Sequence, residues 1–124
     1  MKVLTVLFCA ALFLGLSTAV RAEHAFTTNF VCLTEAAGLE AVKYDEAGAI
    51  DALITRASLD PNFECYKVEM GYAYRAMEIV HTYMADGVRK AMVLSLDGRG
   101  REVYTFGVET YVRDLLHLAD ERGA

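Results

Sequence analysis

The sequence predicts an α+β domain in which N-terminal helices pack on an antiparallel meander of four or five strands, followed by a short C-terminal helix. Three observations support this. Apolar residues recur at helical spacing over about 34–57 and again over about 109–121, and a region rich in Val, Tyr and Met, interrupted by turn signals, covers about 64–106. Because no strand–helix–strand crossover appears in the central region, its strands should run antiparallel.

The first 22 residues have the pattern of an export signal. Met1-Lys2 forms a short positive start, an apolar segment runs from Val3 to Leu16, and Val20 and Ala22 occupy the −3 and −1 places of a signal-peptidase site. We expect cleavage after Ala22 and one exported domain, periplasmic or secreted, over residues 23–124. The alternative is an uncleaved anchor that tethers an accessory subunit, because the uncharged segment is about long enough to cross a bilayer.

The charge of the mature chain restricts its partners. Loss of Lys2 and Arg21 with the signal moves the formal net charge from −5 to −7. Nucleic-acid phosphates and anionic lipids repel such a chain, so we expect no nucleic-acid partner and, after cleavage, no stable membrane insertion. We interpret Arg89-Lys90 and the Arg99/Arg101 pair, which lie beside turn signals, as solvated strand ends.

Two cysteines remain after cleavage, Cys32 and Cys65. An even count in a small exported domain predicts a disulfide, and only one pairing is possible. A loop of this length should stabilise the fold by about 3.5–4 kcal/mol through reduced entropy of the unfolded chain.

The helical region divides into two predicted helices. Thr34 is a good N-cap for the first, in which Gly38 should cost about 1 kcal/mol relative to Ala. Tyr44-Asp45 is predicted to break the helix, with Asp45 capping the second one. The second helix carries one apolar stripe, formed by Ala47, Ile50, Leu53, Ile54 and Ala57.

Four strands follow, each with a distinct pattern. In the first, Tyr66, Val68 and Met70 share a face opposite Cys65, and the pattern leaves open whether the Cys65 face is covered or a bulge shifts the alternation. The second, about 74–84, groups Met77, Ile79 and Tyr83 but is apolar on both sides, which favours a central or bent strand. The third covers 88–96, and Asp97-Gly98 predicts a tight turn into the fourth, 101–106. Gly123 follows the last helix as a stop.

This arrangement of Cys32, a helix over 45–57, Cys65 at a strand start and a Gly-punctuated meander to Phe106 resembles small exported bacterial proteins. In those proteins a Cys-bearing helical segment is linked to an SH3-like barrel whose first strand carries the second Cys. The resemblance implies a small barrel that binds peptides or wall components and catalyses no reaction. Such barrels often carry a Trp near the last strand; this chain has none, so Tyr104 and Phe106 would replace it.

The candidate binding patch consists of tyrosines, namely Tyr72, Tyr74, Tyr83 and Tyr104. Tyrosine is enriched at interfaces, although packing in the core or at its edge is the competing interpretation. The predicted function is that of an exported, non-catalytic small binding domain that modulates an envelope protein or enzyme, with an envelope protein or peptide as its partner.

The competing function is a small papain-like thiol peptidase or amidase. Cys32 lies just before a helix N-terminus, which lowers a thiol pKa, and His81 on the second strand would be the base. Against it, the Asp-Cys-Ser-Gly type of string is absent and no third residue is placed to orient His81. His24, His81 and His117 share no metal-site spacing, so we predict neither a metal site nor a cofactor.

Overall fold

The computed structural model describes residues 25–68 and 73–123. These residues form helices before and after an antiparallel sheet, which confirms the predicted α+β class. The predicted signal, residues 1–22, lies outside them. In chain order the elements are β1 (Ala25–Thr27), β2 (Phe30–Cys32), α1 (Glu35–Glu46), α2 (Ile50–Leu59), β3 (Cys65–Lys67), β4 (Ala73–Ala85), β5 (Val88–Leu96), β6 (Glu102–Val108) and α3 (Glu109–Gly123).

The sheet has six strands in the order β1-β4-β5-β6-β2-β3, because two short segments ahead of the helices join the predicted meander. Only Thr28 and Asn29 separate β1, which pairs with β4, from β2, which pairs with β6. Three residue steps span at most about 11 Å, whereas four strand spacings in a flat sheet span about 19 Å. The sheet must therefore be strongly curved. Within the described residues no ladder joins β1 to β3, so the sheet is open.

Helix α1 is longer than the sequence predicts. Thr34 Oγ1 accepts a hydrogen bond from the Ala37 amide at 3.2 Å, as expected of the predicted N-cap. The predicted break at Tyr44-Asp45 is wrong, because the helix continues to Glu46. Gly48, with φ 69°, follows the C-cap, and the Gly48 and Ala49 amides donate to the carbonyls of Asp45 and Tyr44. These two bonds form a Schellman motif, so Asp45 lies in the last turn of α1 and caps nothing.

Helices α1 and α2 cover the sheet face that carries both cysteines, which we name the disulfide face. Cys32 and Cys65 are directly opposite in the β2–β3 ladder, with Cα atoms 4.0 Å apart, and their sulfurs are bonded as predicted. The neighbouring pair, Leu33 and Glu64, is hydrogen-bonded, so the cysteines occupy a non-hydrogen-bonded position, where side chains approach most closely. The disulfide packs against Ala37, Ala41, Leu53 and Phe63.

The structure settles which side of β3 is covered. Cys65 is 3% exposed beneath the helices, whereas Tyr66 on the opposite side is 39% exposed. Cys65 therefore shares a side of β3 with Lys67, as strict alternation predicts, and of the two alternatives left open the structure shows the covered face, without a bulge in β3.

Strand β4 contains two bulges, between Ala76 and Glu78 and between Ile79 and His81. Each extra residue shifts the alternation of side chains and bends the strand. The predicted grouping of Met77, Ile79 and Tyr83 on one face is therefore wrong. Met77 is 45% exposed, Ile79 packs beside Val93, and Tyr83 clusters with Met92 on the other side of the sheet. The bend that the sequence suggested for this strand is thus produced by two local irregularities.

The opposite side of the sheet, which we name the α3 face, is packed with small side chains. Ala76, Ala91 and Val93 contact Val112 of α3 in one buried cluster. Two fully buried hydroxyls on this face, those of Ser95 and Thr105, lie 2.9 Å apart and hydrogen-bond to each other. These two buried hydroxyls are therefore paired with each other.

Candidate binding site

A cavity of about 270 Å³ opens on the disulfide face, where α1 and α2 meet the ends of β5 and β6 and the link between β1 and β2. Within the described residues Cys32 and Tyr104 form the one register pair between β2 and β6, and beyond it Thr28 Oγ1 donates to the Phe106 carbonyl at 3.4 Å. The residues that line the cavity are Thr28, Asn29, Phe30, Ala41, Asp45, Ile50, Leu53, Ile54, Lys67, Tyr83, Lys90, Phe106, Gly107 and Val108.

Most of the cavity wall is apolar. Phe30 and Phe106 form an aromatic pair with ring centroids 6.2 Å apart, and Leu53 packs beside them in the cluster around the disulfide. At the rim, Ile50 is 38% exposed and Val108 is 44% exposed. An apolar group entering from solvent would therefore bury these two side chains along with its own surface.

One wall of the cavity carries a compact polar cluster centred on Asp45. The Asp45 carboxylate is 7% exposed and accepts hydrogen bonds from Lys90 Nζ, at 3.3 and 3.0 Å, and from the Tyr83 hydroxyl, at 3.0 Å. Lys90 and Tyr83 face each other in the β4–β5 ladder, so both approach Asp45 from the sheet. We name these three residues the Asp45 cluster.

The protonation state of Tyr83 follows from this environment. Burial raises the pKa of Tyr83 far above its ordinary value, and the charge of Asp45 and the hydrogen bond to it raise it further. Tyr83 therefore remains a neutral phenol and a donor to Asp45 across the physiological range. The Asp45 cluster is therefore an ion pair that receives one further hydrogen bond from a neutral hydroxyl.

Lys67 gives the cavity a second cation. It lies on the same side of β3 as Cys65, opposite Phe30 of β2, and is exposed. Within the described part of the chain no carboxylate lies within ion-pair distance of Lys67. Since Lys90 is balanced by Asp45, the cavity as a whole carries one excess positive charge in a strongly acidic protein.

The sequence patterns did not predict the Asp45 cluster. The buried positions of α1 are Ala37, Gly38, Ala41, Val42 and Asp45, which form one continuous helical stripe. Had the helix been extended to its glycine stop at Gly48, a carboxylate on an apolar stripe would have been visible as a candidate site. The early break placed at Tyr44-Asp45 concealed that signal.

The predicted tyrosines do not form one exposed patch. Tyr72 lies outside the described residues. Tyr74 and Tyr83 are each 5% exposed and belong to different buried clusters. The prediction that they form an exposed patch is therefore wrong for both. Tyr104 is partly buried against the disulfide cluster, beside Met92 and Phe106. Of the described tyrosines in the predicted patch, Tyr83 alone lines the cavity.

The thiol-hydrolase alternative has no free thiolate in this structure. Cys32 is fully buried and its sulfur is bonded to Cys65. His81 is exposed on β4, where its ring stacks on Tyr83 with centroids 6.4 Å apart. The bond confirms the predicted disulfide and fits an oxidising compartment.

Residues 25–68 and 73–123 contain no cluster of three His, Cys, Asp or Glu side chains that would hold a metal ion. In the same residues no helix has the length and apolarity needed to cross a bilayer. Comparison with protein-family models, with curated proteins and with solved structures gives no match to this chain.

Proposed function

We propose that this protein is an exported, non-catalytic binding domain that holds a short peptide segment of an envelope protein in the cavity on its disulfide face. The observation that carries this proposal is the cavity itself, in which an apolar wall adjoins the Asp45 cluster. Binding sites commonly combine a mostly apolar concave surface with a few fixed polar groups that orient the ligand.

The position of Asp45 supports a role beyond folding. A buried carboxylate loses hydration, and a well-packed apolar residue in its place is often neutral or stabilising. Asp45 also lies in the last turn of α1, where the helix dipole disfavours a negative charge. A buried carboxylate at such a position beside a cavity is a candidate for ligand recognition.

The curved sheet supports the architecture implied by the resemblance to SH3-like exported proteins. β1 and β2 are nearly continuous in sequence and pair with β4 and β6, so this segment bridges the two sides of the curve. We propose further that the sheet forms a small barrel-like unit. Proteins of that type bind peptides or wall components, which agrees with the proposed ligand.

The size of the cavity limits what it holds. Its volume of about 270 Å³ is just below the range of about 300–1,000 Å³ that is typical of pockets for drug-sized ligands. One or two large apolar side chains would fill it. The rest of a protein partner would contact the surrounding surface.

Site-specific photocrosslinking in an exporting host tests this proposal. A benzoylphenylalanine at Ile50 or Val108 reports on the cavity rim, and the same group at Leu59, which is 76% exposed and does not line the cavity, is the matched control. We expect one discrete crosslinked partner from the two rim positions and none from the control. Equal crosslinking from all three positions, or none from the rim, would contradict a ligand in the cavity.

A further inference from the structure

We propose that the cavity binds the free carboxyl terminus of a peptide whose last side chain is apolar. This inference rests on the proposed function and deepens it by naming the chemical class of the ligand. It is carried by the juxtaposition of Lys67 and Lys90 with the aromatic pair Phe30 and Phe106 in a single cavity.

The cavity is opposite in charge to the chain as a whole. The chain is acidic overall, with a formal net charge of −5 for the full sequence, yet its cavity carries an excess positive charge through Lys67. Lys90 also lines the cavity, but its Nζ contacts both oxygens of Asp45, which balances its charge. A carboxylate beside Lys67 would receive charge-assisted hydrogen bonds from its ammonium group, and such bonds are stronger than those between neutral groups.

The distance from that charge to the apolar wall is short. Lys67 is directly opposite Phe30 in the β2–β3 ladder, and Lys90 is directly opposite Val108 in the β5–β6 ladder. Each cation is thus one residue pair away from an apolar residue of the cavity. In the last residue of a peptide the carboxylate and the side chain are attached to the same carbon, which matches this close spacing.

An internal peptide segment would satisfy the cavity less well. It would bring apolar side chains but no charge, so Lys67 would lose hydration on binding without gaining a partner. A fatty acid shares the required chemistry, because it also joins a carboxylate to an apolar group. A long acyl chain, however, exceeds a cavity that accommodates one or two side chains, so the small volume favours the peptide terminus.

Peptide arrays with free carboxyl termini test the inference, using labelled mature protein with its disulfide intact. The probes are pentapeptides with randomised upstream positions and a fixed last residue that is leucine, phenylalanine, serine or aspartate, each synthesised as the free acid and as the amide. Decanoate serves as a competitor. We expect binding to the free acids ending in leucine or phenylalanine, and at least about tenfold weaker binding to their amides.

Two variants locate the interaction. Lys67→Gln removes the excess charge and should weaken binding of the free acids about tenfold while leaving the amides unchanged. Lys43→Gln is the matched control, because Lys43 is an exposed lysine of α1 that does not line the cavity. It should bind both forms as the wild type does. Thermal unfolding checks that both variants are folded.

The outcomes separate this inference from the proposed function. Equal binding of acids and amides, no effect of Lys67→Gln, or no array binding at all would overturn the carboxyl-terminus assignment, and the rim crosslinks would still report on the proposed function. Displacement by decanoate at concentrations below those of the best peptide acid would assign the site to an acyl carboxylate and also overturn it. Loss of the rim crosslinks would refute both proposals.

Discussion

Arg89 and Lys90 are neighbours on β5, and each ties a helix to a different face of the sheet. Lys90 reaches the disulfide face and pairs with Asp45 of α1, whereas Arg89 pairs with Glu109 of α3 at 2.9 Å. Strand alternation sends the two side chains in opposite directions. The interpretation of this dipeptide as a solvated strand end is therefore wrong for Lys90, whose side chain is 25% exposed and pairs with buried Asp45, whereas the Arg89 side chain is 59% exposed and fits it.

The two carboxylates differ in their relation to their own helices. Glu109 is in the first turn of α3, where the helix dipole favours a negative charge, and it also pairs with Arg113 one turn later. Asp45 is in the last turn of α1, where the dipole opposes it, and it adjoins a cavity. Both fasten a helix, but the Glu109 pairs are explained by stability alone. The helix dipole disfavours the charge of Asp45, and Asp45 lines a cavity. These two features distinguish the Asp45 pair, as a candidate binding site, from the Glu109 pairs.

Removal of the disulfide should cause the largest loss of unfolding free energy, and the loss of protection should be greatest on the disulfide face. We expect the double variant Cys32→Ala/Cys65→Ala to lose about 3.5–4 kcal/mol of unfolding free energy, because the unfolded chain regains the entropy of the closed loop. Urea unfolding measures the loss, and reductant should destabilise the wild type but not the variant. Amide hydrogen exchange should accelerate more in α1 than in α3. Equal acceleration in both helices would show that the two faces are not separately fastened.

The Asp45 cluster should show the next largest effect. Asp45→Ala leaves Lys90 and the Tyr83 hydroxyl without their acceptor, and we expect a loss of about 2–3 kcal/mol, less than for a fully buried pair because Lys90 is partly exposed. Tyr83→Phe keeps the ion pair and should cost about 1 kcal/mol. Urea unfolding compares the two variants. Equal losses would mean that the hydroxyl, and not the charge pair, holds α1 to the sheet.

Local patterns in the sequence predicted the helices, the antiparallel sheet and the disulfide, because each depends on spacing or on a count. They did not predict that Thr28 and Asn29 would carry the chain across a curved sheet, since curvature is a property of many strands together. Asp45 was missed because its role depends on Lys90 and Tyr83, which are distant in sequence and adjacent only after folding. The cavity is lined both by Thr28 and Asn29 and by the residues around Asp45, so no local pattern predicts it.

Gly38→Ala should change the free energy of unfolding by a smaller amount, and helix propensity and the packing in the structure predict opposite signs for that change. Helix propensity alone predicts that Gly38→Ala stabilises α1 by about 1 kcal/mol. In the structure an added Cβ would lie 2.8 Å from Met92 Sδ, and Met92 is fully buried beneath the helix. Overpacking typically costs about 1–3 kcal/mol, so we expect a net loss of about 1 kcal/mol in urea unfolding.

The partner variant tests that explanation of Gly38. Met92→Val removes the atoms that the new methyl would meet, so Gly38→Ala should become stabilising in that background. Ala36→Gly, at an exposed position of the same helix, reports propensity alone and should cost about 1 kcal/mol. If Gly38→Ala stabilises the wild type as well, the packing between α1 and β5 leaves room for a methyl group at Gly38.

The smallest expected effect is the pH dependence contributed by Glu109 on the α3 face. Its hydrogen bond from Arg113, followed by the charges of Arg89 and Arg113, lowers the pKa of Glu109 below its ordinary value. A carboxylate whose folded pKa is lowered stabilises the protein fully above the unfolded pKa, about 4.3, and loses that contribution as the pH falls through the folded value. Glu109→Gln should therefore be less stable than the wild type at pH 7, and the difference should disappear as the pH falls through the lowered pKa of Glu109. Urea unfolding across this range measures the difference, and Glu64→Gln, at an exposed position with no ion pair in the described residues, should show none of it. A difference that persists at low pH would mean that Glu109 fastens α3 through packing, and the contrast between a charged anchor on each face would then fail.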